Sequence, residues 1–334
     1  MEKLKWGLLS TARINRAVIP PIRRSRRSEL AAVASRDRAT AEAYAKEWDI
    51  RGIFGSYEAM LDDPDIRAVY ISLPNHLHAE WSIKCAAAGK HVLCEKPLAL
   101  STIEVDRIIE AARKHHVIIA EAFMYKHHPQ TLKVIELVKR RAVGDLLVVK
   151  GMFTFNLTNP GDVRLYPEMG GGSIWDVGCY PISFTRLIAA TEPVEVFGMQ
   201  ALGPSGIDEV FVGQMRFEGG LLAQFESGFR SPYRTGMEIV GSEGSILVAR
   251  PFKPENDKSI EVLHGDRTES IQVPDGDSYL GEIEDMENAV LDGKPQHVPL
   301  EDSRANVAVI TALLESARTG NRVRPEKMKK GYCC

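Results

Sequence analysis

The chain has 334 residues, of which 44% are hydrophobic and 26% are charged. At about 150 residues per domain this length predicts two domains, and the apolar content excludes a mainly disordered or fibrous chain. The net charge is −3, so neither nucleic acid nor an anionic membrane surface is expected as a main partner.

Strand and helix patterns alternate through residues 1–124. Ser101 stands three residues before Glu104, which is the spacing of a capping box and predicts a helix through Ala112. Short apolar runs separated by helices predict a doubly wound parallel sheet that is covered on both faces. The predicted strands are Lys5–Leu9, Leu30–Ala34, Ile53–Phe54, Ala68–Leu73, His91–Cys94 and Val117–Ala120.

Longer strands with fewer helices follow in residues 125–326 and predict an α+β domain with a large, mostly antiparallel open sheet. Gly219 and Gly220 indicate a hairpin, and residues 327–334 are expected to form a tail. The predicted strands are Leu146–Phe155, Val194–Ala201, Glu209–Phe217, Leu221–Phe229, Gly241–Val248 and Ser259–Leu263. The predicted helices are Ser173–Ala190, Tyr279–Leu291 and Asp302–Ala317.

The cysteines and the termini indicate a cytoplasmic protein. The five cysteines form no C-x-x-C pair, and an odd number in a chain of this length favours reduced thiols over a disulfide framework. Cys333 and Cys334 close the chain, where an untethered terminus is the main interpretation and a lipidated or metal-binding tail the alternative. No apolar stretch approaches the length of about 18 residues that a membrane span needs.

The first strand-to-helix turn, Gly7–Ile14, stands where a doubly wound sheet receives a dinucleotide pyrophosphate. It lacks the G-x-G-x-x-G pattern, because Ser10 and Ala12 occupy positions where glycines are expected. Small residues still permit close backbone approach, and the hydroxyls of Ser10 and Thr11 can bind phosphate oxygens. Taken alone, the segment is a weak signal, and a plain tight turn is the favoured interpretation.

The end of the second strand bears on the choice of cofactor. Ser35 and Arg36 suit a 2′-phosphate, since a guanidinium gives bidentate contacts to phosphate oxygens. Asp37 leaves NAD open, because a rotated turn could present its carboxylate to the ribose. The residues therefore favour NADP, with NAD as the alternative.

Lys96 is the candidate catalytic residue of the first domain. It follows the fifth strand within Glu95-Lys96-Pro97, at the sheet edge where such folds bind ligands. An ammonium at this position can donate a proton to a carbonyl oxygen as hydride arrives. The alternative is an ordinary surface lysine.

A glycine run, Gly170–Gly172, leads into the helix of the second domain that carries the other candidates. Ser173 is the expected helix cap, and Asp176 and Tyr180 are spaced to share one helix face. Pro181 predicts an irregular start to this helix. A carboxylate and a phenol could orient a substrate and donate a proton, although a polar helix stripe is the plainer interpretation.

Taken together, four segments closely resemble the glucose–fructose oxidoreductase/inositol dehydrogenase (Gfo/Idh/MocA) family, in the family's order and spacing. They are Trp6–Ile14, Glu95–Pro97, Phe123–Gln130 and Gly170–Pro181. The branch they resemble most contains NADP-dependent xylose dehydrogenases, dimeric trans-dihydrodiol dehydrogenases and sugar 3-ketoreductases.

The resemblance implies a Rossmann domain followed by a substrate-binding and oligomerisation domain. It implies that Lys96 and Tyr180 form the catalytic pair, that Asp176 orients the sugar and that the Lys96–Pro97 peptide is cis. Many relatives carry histidine at the position of Tyr180. The expected cofactor-binding residues are Gly7, Ser10, Thr11, Ala12, Arg13, Ile14, Ser35, Arg36, Leu73, Pro74, Asn75, His76, Glu95, Lys96 and, near the nicotinamide, Arg164.

The sequence thus predicts an NADP(H)-dependent oxidoreductase that moves hydride between the nicotinamide and a hydroxyl or carbonyl carbon of a sugar, polyol or keto-sugar. The alternatives are a trans-dihydrodiol dehydrogenase and a non-catalytic NADP-binding sensor. The resemblance further implies a homodimer or homotetramer assembled through the second-domain sheet. No metal site is expected, because the pairs His115-His116 and His127-His128 lack further ligands at a suitable spacing.

Overall fold

The computed structural model describes residues 3–254 and 257–328. The chain divides into two compact units, one formed by residues up to His127 together with Asp277–Ser303, the other by His128–Gly276 and the chain from Arg304 onward. The sequence-based division differs in assigning 277–303 to the second domain. This segment packs with the first unit because Ile283 and Met286 are buried in its core. Cys333 and Cys334, in the predicted tail, lie outside the described residues.

The first unit is built on a parallel sheet, as predicted. Its strands are β1 (Leu4–Leu9), β2 (Ser28–Ala34), β3 (Gly52–Phe54), β4 (Ala68–Ile71), β5 (His91–Glu95) and β6 (Ile119–Ala122). Its helices are α1 (Asn15–Arg24), α2 (Arg38–Trp48), α3 (Tyr57–Leu61), α4 (His78–Ala87), α5 (Thr102–His115) and, after the second unit has intervened, α8 (Ser278–Asp292).

The strand order β3-β2-β1-β4-β5-β6 confirms the doubly wound fold. All four residues of β4 are buried, as expected for a strand covered on both faces. Ser101 caps α5 by accepting a hydrogen bond from the Glu104 N–H at 3.2 Å, which confirms the predicted start of that helix.

The second unit contains the larger sheet. Its strands are β7 (Leu146–Asn156), β8 (Pro193–Leu202), β9 (Asp208–Phe217), β10 (Leu222–Gly228), β11 (Arg230–Gly241), β12 (Ser245–Val248), β13 (Ser259–His264) and β14 (Arg267–Gln272). Its helices are α6 (Pro129–Lys139), α7 (Cys179–Ala189) and most of α9 (Leu300–Thr319), which begins in the first unit. The order is β14-β13-β12-β11-β7-β10-β9-β8.

Within the described residues, the neighbouring strands of this sheet pair in antiparallel fashion except for β7 and β10, so the predicted mostly antiparallel sheet is confirmed. Gly219 and Gly220 lie between the paired strands β9 and β10, which confirms the predicted hairpin. Residues 241–248 were expected to form one strand, but Gly241 ends β11 and Ser245 begins β12.

Three further features concern membranes, metals and thiols. Of the helices within residues 3–254 and 257–328, none is both long and apolar enough to cross a membrane. The same residues hold no group of three or more His, Cys, Asp or Glu side chains that could bind a metal ion. Cys85, Cys94 and Cys179 are buried and take part in no disulfide.

Candidate active site

The turn after β1 has the backbone geometry that a glycine normally supplies. Ser10 adopts φ = 119°, a region that L-residues with a side chain rarely occupy. Its hydroxyl compensates by contacting the Ser72 carbonyl at 3.1 Å and the Ser72 hydroxyl at 2.8 Å, and by accepting a hydrogen bond from the Ala12 N–H at 3.2 Å. The side chain therefore fastens the turn that its own backbone makes.

Asn15 completes this network from the first turn of α1. Its Nδ2 donates to the Ser10 carbonyl at 2.9 Å, and its Oδ1 accepts from the Ser72 hydroxyl at 2.7 Å. Asn15 is fully buried, and Ser72 follows β4, so the network ties the first turn to a neighbouring strand end. Sequence reasoning assigned no role to Asn15 or Ser72. For Asn15, the available signal was an asparagine at the start of the predicted first helix.

The remaining residues of the turn lie at a helix N-terminus that fits a phosphate. Thr11 and Ala12 are half-buried, Arg13 is exposed, and the helix begins after Ile14 without a hydrogen-bonding side chain as cap. The positive end of the α1 dipole is therefore presented at this turn. Gly7 lies inside β1 instead, where a side chain would meet the Met60 sulfur at 2.7 Å.

At the end of β2, the candidates for the adenosine side have different roles. Asp37 caps α2, because its Oδ2 accepts hydrogen bonds from the Thr40 N–H at 2.8 Å and the Thr40 hydroxyl at 2.5 Å. These bonds lower the pKa of Asp37 and engage the carboxylate that could have faced a ribose. The Ser35 hydroxyl accepts from the Asp37 N–H at 3.3 Å, while Arg36 is exposed beside the Tyr57 hydroxyl.

The loop after β4 contains the next group of candidates. Leu73 is buried, Pro74 and Asn75 are half-buried, and His76 is exposed. Asn75 begins a short 3₁₀ turn that leads into α4. The loop is thus placed at the carboxyl edge of the sheet, between the turn after β1 and the end of β5.

Glu95 and Lys96 stand at the end of β5. The Tyr70 hydroxyl donates a hydrogen bond to the Glu95 carboxylate, and burial raises the pKa of Tyr70. Lys96 is half-buried, and the Lys96–Pro97 peptide is cis, as the family resemblance implied. The Leu98 N–H donates to the Glu121 Oε1 at 2.9 Å. Sequence reasoning missed Tyr70 and Glu121, which lie on other strands.

The glycine run of the second unit packs against backbone. A Cβ on Gly171 would lie 2.4 Å from the Arg164 carbonyl oxygen, and Gly172 has φ = 123°. A π-helical turn follows at Ile174–Gly178 and continues into α7, in which Pro181 is the third residue. This wide turn confirms the predicted irregular start, and such turns are frequent at functional sites.

The helix cap is Asp208 and not Ser173, so that prediction was wrong. Ser173 itself has helical backbone angles and makes no side-chain cap. The Asp208 Oδ2 accepts from the Ile174 N–H at 2.8 Å and from the Ser173 hydroxyl at 2.6 Å. Burial raises the pKa of Asp208 to about 6, although these hydrogen bonds oppose the shift. A carboxylate from β9 thus fixes the start of the helical segment that carries Asp176 and Tyr180.

Asp176 is paired with Arg164. The Arg164 Nε lies 2.7 Å from the Asp176 Oδ2, and its NH1 lies 3.1 Å from the Asp162 Oδ1. The Asp176 charge, followed by the Asp162 charge, raises the pKa of Arg164. The predicted substrate-orienting carboxylate and the predicted nicotinamide-side arginine are therefore direct neighbours.

Tyr180 lies in an aromatic cluster and is 7% exposed. Its ring centroid is 5.4 Å from that of Phe153 and 5.2 Å from that of Phe252, and the two phenylalanine rings stack at 5.5 Å. The exposed Tyr233 packs edge-on against Phe153 at 6.0 Å. The ring of Tyr180 is therefore held by packing, independently of its hydroxyl.

Comparison with known proteins agrees with both units. Residues 4–123 match the profile of the oxidoreductase family with an NAD-binding Rossmann fold, and residues 131–247 match the family's C-terminal domain. The chain belongs to the Gfo/Idh/MocA family. It is therefore an oxidoreductase, and its Rossmann unit is the family's nucleotide-binding fold.

Relatives of the chain include two sugar oxidoreductases and a dehydrogenase of an aryl diol. A D-xylose 1-dehydrogenase (NADP⁺) of Haloferax volcanii is 36% identical over 325 residues, covering 96% of this chain and 99% of the relative. A dTDP-3,4-didehydro-2,6-dideoxy-α-D-glucose 3-reductase of Actinomadura kijaniata is 29% identical, covering 94% and 96%. A trans-1,2-dihydrobenzene-1,2-diol dehydrogenase of Xenopus laevis is also 29% identical, covering 93% and 97%.

Solved structures of family members have the same fold. A 3-ketoreductase from Actinomadura kijaniata, crystallised with NADP and TDP-benzene, is 28% identical with a TM-score of 0.89, covering 94% of this chain and 98% of that one. An aldose–aldose oxidoreductase from Caulobacter crescentus superposes with a TM-score of 0.91 at 24% identity, covering 97% and 100%, and at this identity the likeness supports the fold.

Proposed function

We propose that this family member is an NADP(H)-dependent oxidoreductase of a sugar, polyol or keto-sugar. The observation that carries the proposal is the carboxyl edge of the Rossmann sheet, where the turn at Ser10, the exposed Arg36 and Lys96 all follow parallel strands of one sheet. The NADP-linked sugar enzymes among its relatives support the cofactor and the substrate class.

The cofactor would be held along this edge. The N-terminus of α1 and the Ser10 turn fit the pyrophosphate, and the loop Leu73–His76 fits the nicotinamide half. NADP, when bound, accepts or supplies hydride at its nicotinamide ring. Because Asp37 is engaged with Thr40, Ser35 and Arg36 are left as the groups for a ribose phosphate, which favours NADP over NAD.

Three side chains would serve the substrate. The Lys96 ammonium binds the reacting oxygen and tunes the phenol, Tyr180 donates or accepts the proton, and Asp176 orients the sugar hydroxyls. Arg164 fixes Asp176 as a carboxylate by its 2.7 Å contact, so Asp176 acts as a hydrogen-bond acceptor. Arg164 itself is proposed to approach the nicotinamide.

The substrate class is tested with a panel assay. Purified protein and NADP⁺ are incubated with aldoses, cyclic polyols and aryl trans-diols, and keto-sugars are tested with NADPH, while absorbance of the reduced nicotinamide is followed. We expect turnover of at least one sugar or polyol and a lower kcat/KM for aryl diols. Aryl diols as the better substrates would identify a trans-dihydrodiol dehydrogenase, and no turnover of any compound despite NADP binding would favour the sensor.

Arg36→Ala should separate the two cofactors. Losing a charge-assisted, bidentate phosphate contact of about 1.5–3 kcal/mol weakens NADP binding by roughly 10- to 100-fold, whereas NAD, which lacks the phosphate, loses little. Titration calorimetry with both nucleotides measures the two Kd values. Arg38→Ala is the matched control, because Arg38 pairs with Glu42 on the exposed face of α2. An unchanged NADP Kd in R36A, or wild-type protein that turns over NAD faster, would contradict the assignment.

We further propose that the second-unit sheet pairs with another copy of the chain. Met199, Val212 and Glu226 are lateral neighbours on its outer face, and Met199 and Val212 are 56% and 38% exposed. A cavity of about 590 Å³ opens on the same sheet, with Gln224 and Lys150 among its lining residues. Exposed apolar side chains such as Met199 and Val212 on an open sheet face favour a covering surface. Sedimentation as a monomer at assay concentrations would contradict the homodimer or homotetramer.

The buried thiols support the proposed cytoplasmic location. Cys85, Cys94 and Cys179 take part in no disulfide. Burial raises the pKa of Cys85 to about 12, so this thiol is unreactive near neutral pH. Cysteines kept as thiols are typical of proteins in reducing compartments.

A further inference from the structure

The peptide group between Pro97 and Leu98 is held at both ends by buried side chains. Its carbonyl oxygen lies 2.7 Å from the His78 Nδ1, and its N–H donates to the Glu121 Oε1 at 2.9 Å. His78 is 0% exposed and Glu121 is 2% exposed. This peptide directly follows the Lys96–Pro97 peptide. Its position therefore constrains the backbone from which the lysine side chain starts.

We propose that His78 is a positioning residue for Lys96, acting through the carbonyl oxygen of Pro97. The inference rests on the proposed function, in which Lys96 contacts the reacting oxygen. His78 comes from the first residue of α4, so it links that helix to the end of β5. A rigidly fixed strand end places an ammonium more precisely than a free loop does, and catalysis depends on such placement.

The second ring nitrogen of His78 contacts another part of the same edge. Its Nε2 lies 2.7 Å from the Leu73 carbonyl oxygen, in the loop after β4. A neutral imidazole donates to one of two carbonyl oxygens, whereas an imidazolium donates to both. The proton on Nδ1, which is common to the imidazolium and to one neutral tautomer, is the one that the positioning of Lys96 requires.

The electrostatics agree with this neighbourhood. Burial lowers the pKa of His78, hydrogen bonds to Pro97 and Leu73 oppose that shift, and the charges of Lys96 and His76 lower the pKa further. The charge of Lys96 is therefore part of the electrostatic environment of His78.

Two amide substitutions separate the two contacts of the ring. The amide nitrogen of Asn is as many bonds from Cβ as Nδ1 of His, and that of Gln is as many as Nε2. His78→Asn can therefore still donate to Pro97, whereas His78→Gln reaches toward Leu73. We expect H78Q and H78A to lose roughly 100-fold in kcat while the NADP Kd changes less than about threefold, and H78N to stay within about fivefold of wild type.

The readouts are steady-state kcat and KM for the best panel substrate, NADP Kd by calorimetry, and thermal unfolding. His91→Gln is the matched control. His91 begins β5, the strand that Lys96 follows, and its Nδ1 accepts a hydrogen bond from the Ile118 N–H at 2.9 Å. This substitution should change the thermal unfolding midpoint without changing kcat. The inference is overturned if H78Q keeps wild-type kcat, if H78N falls as far as H78A, or if all variants lose NADP binding together with kcat.

Lys96→Met, assayed in parallel, distinguishes failure of this inference from failure of the proposed function. If K96M is inactive and H78Q is fully active, the lysine role stands and the positioning role of His78 is wrong. If K96M turns over as the wild type does, the role that the proposed function gives to Lys96 fails, whatever His78 does.

Discussion

Lys96→Met should abolish turnover while NADP binding remains measurable. Methionine keeps most of the length and packing of the lysine stem but removes the ammonium that contacts the reacting oxygen. Loss of a group that takes part in proton transfer costs about 10²–10⁴-fold in kcat/KM. The pyrophosphate turn at Ser10 and the guanidinium of Arg36 are unaffected, so NADP should still bind with a measurable Kd.

The measurement pairs nicotinamide absorbance kinetics with calorimetric titration of NADP. Lys84→Met is the control, since Lys84 is an exposed partner of Glu80 on α4 and exposed pairs of this kind contribute about 0–1 kcal/mol. K84M should therefore keep wild-type kinetics. The expected loss in kcat/KM is at least about 100-fold. A K96M enzyme that retains roughly a tenth or more of the wild-type kcat/KM would therefore exclude Lys96 from the chemistry.

The Rossmann unit could be predicted from its sequence because each strand carries its own signal. Parallel strands buried on both faces form short apolar runs, and β4 is the clearest of them. The sequence predicted a strand only from Gly241, the last residue of β11, onward. The first half of β11, around Pro232 and Arg234, is mostly exposed and polar and gives no strand pattern. β14 was missed for the same reason, as four of its residues in a row are exposed. Edge and surface strands lack the pattern that identifies a buried one.

The sequence proposes Lys96, Asp176 and Tyr180 as site residues from their residue types and their positions after a strand end or a glycine run, and their roles stay predictions. The residues that support the neighbouring backbone could not be proposed in this way. Asn15 and Glu121, which hold the neighbouring backbone, come from distant parts of the chain. A local reading cannot pair such residues, because their proximity exists only after the sheet has formed.

The helix that carries Asp176 illustrates this limit. Ser173 has the right residue type and position for a cap, and local propensity favours it. The fold instead brings Asp208 from β9 to the Ile174 N–H. A carboxylate is the stronger acceptor at a helix start. Ser173 then becomes a donor to Asp208 and contacts the Ser227 hydroxyl at 3.0 Å. Tertiary structure thus replaced a local cap with a distant one.

Tyr180→Phe should reduce kcat by about 10²–10³-fold with little effect on folding. The substitution removes only the phenolic hydroxyl, which is the proposed proton donor and acceptor. The ring remains packed against Phe153 and Phe252, at centroid distances of 5.4 and 5.2 Å, so the thermal unfolding midpoint should be nearly unchanged. Steady-state kinetics with the best panel substrate, beside a thermal melt, provide the measurement.

Tyr180→His distinguishes a chemical role of the hydroxyl from a packing role. An imidazole also carries an exchangeable proton, so Y180H should retain more activity than Y180F. Its kcat should also depend on pH near the ordinary histidine pKa of about 6.5. If Y180F keeps the wild-type kcat, the hydroxyl takes no part in proton transfer and the proposed role of Tyr180 is wrong.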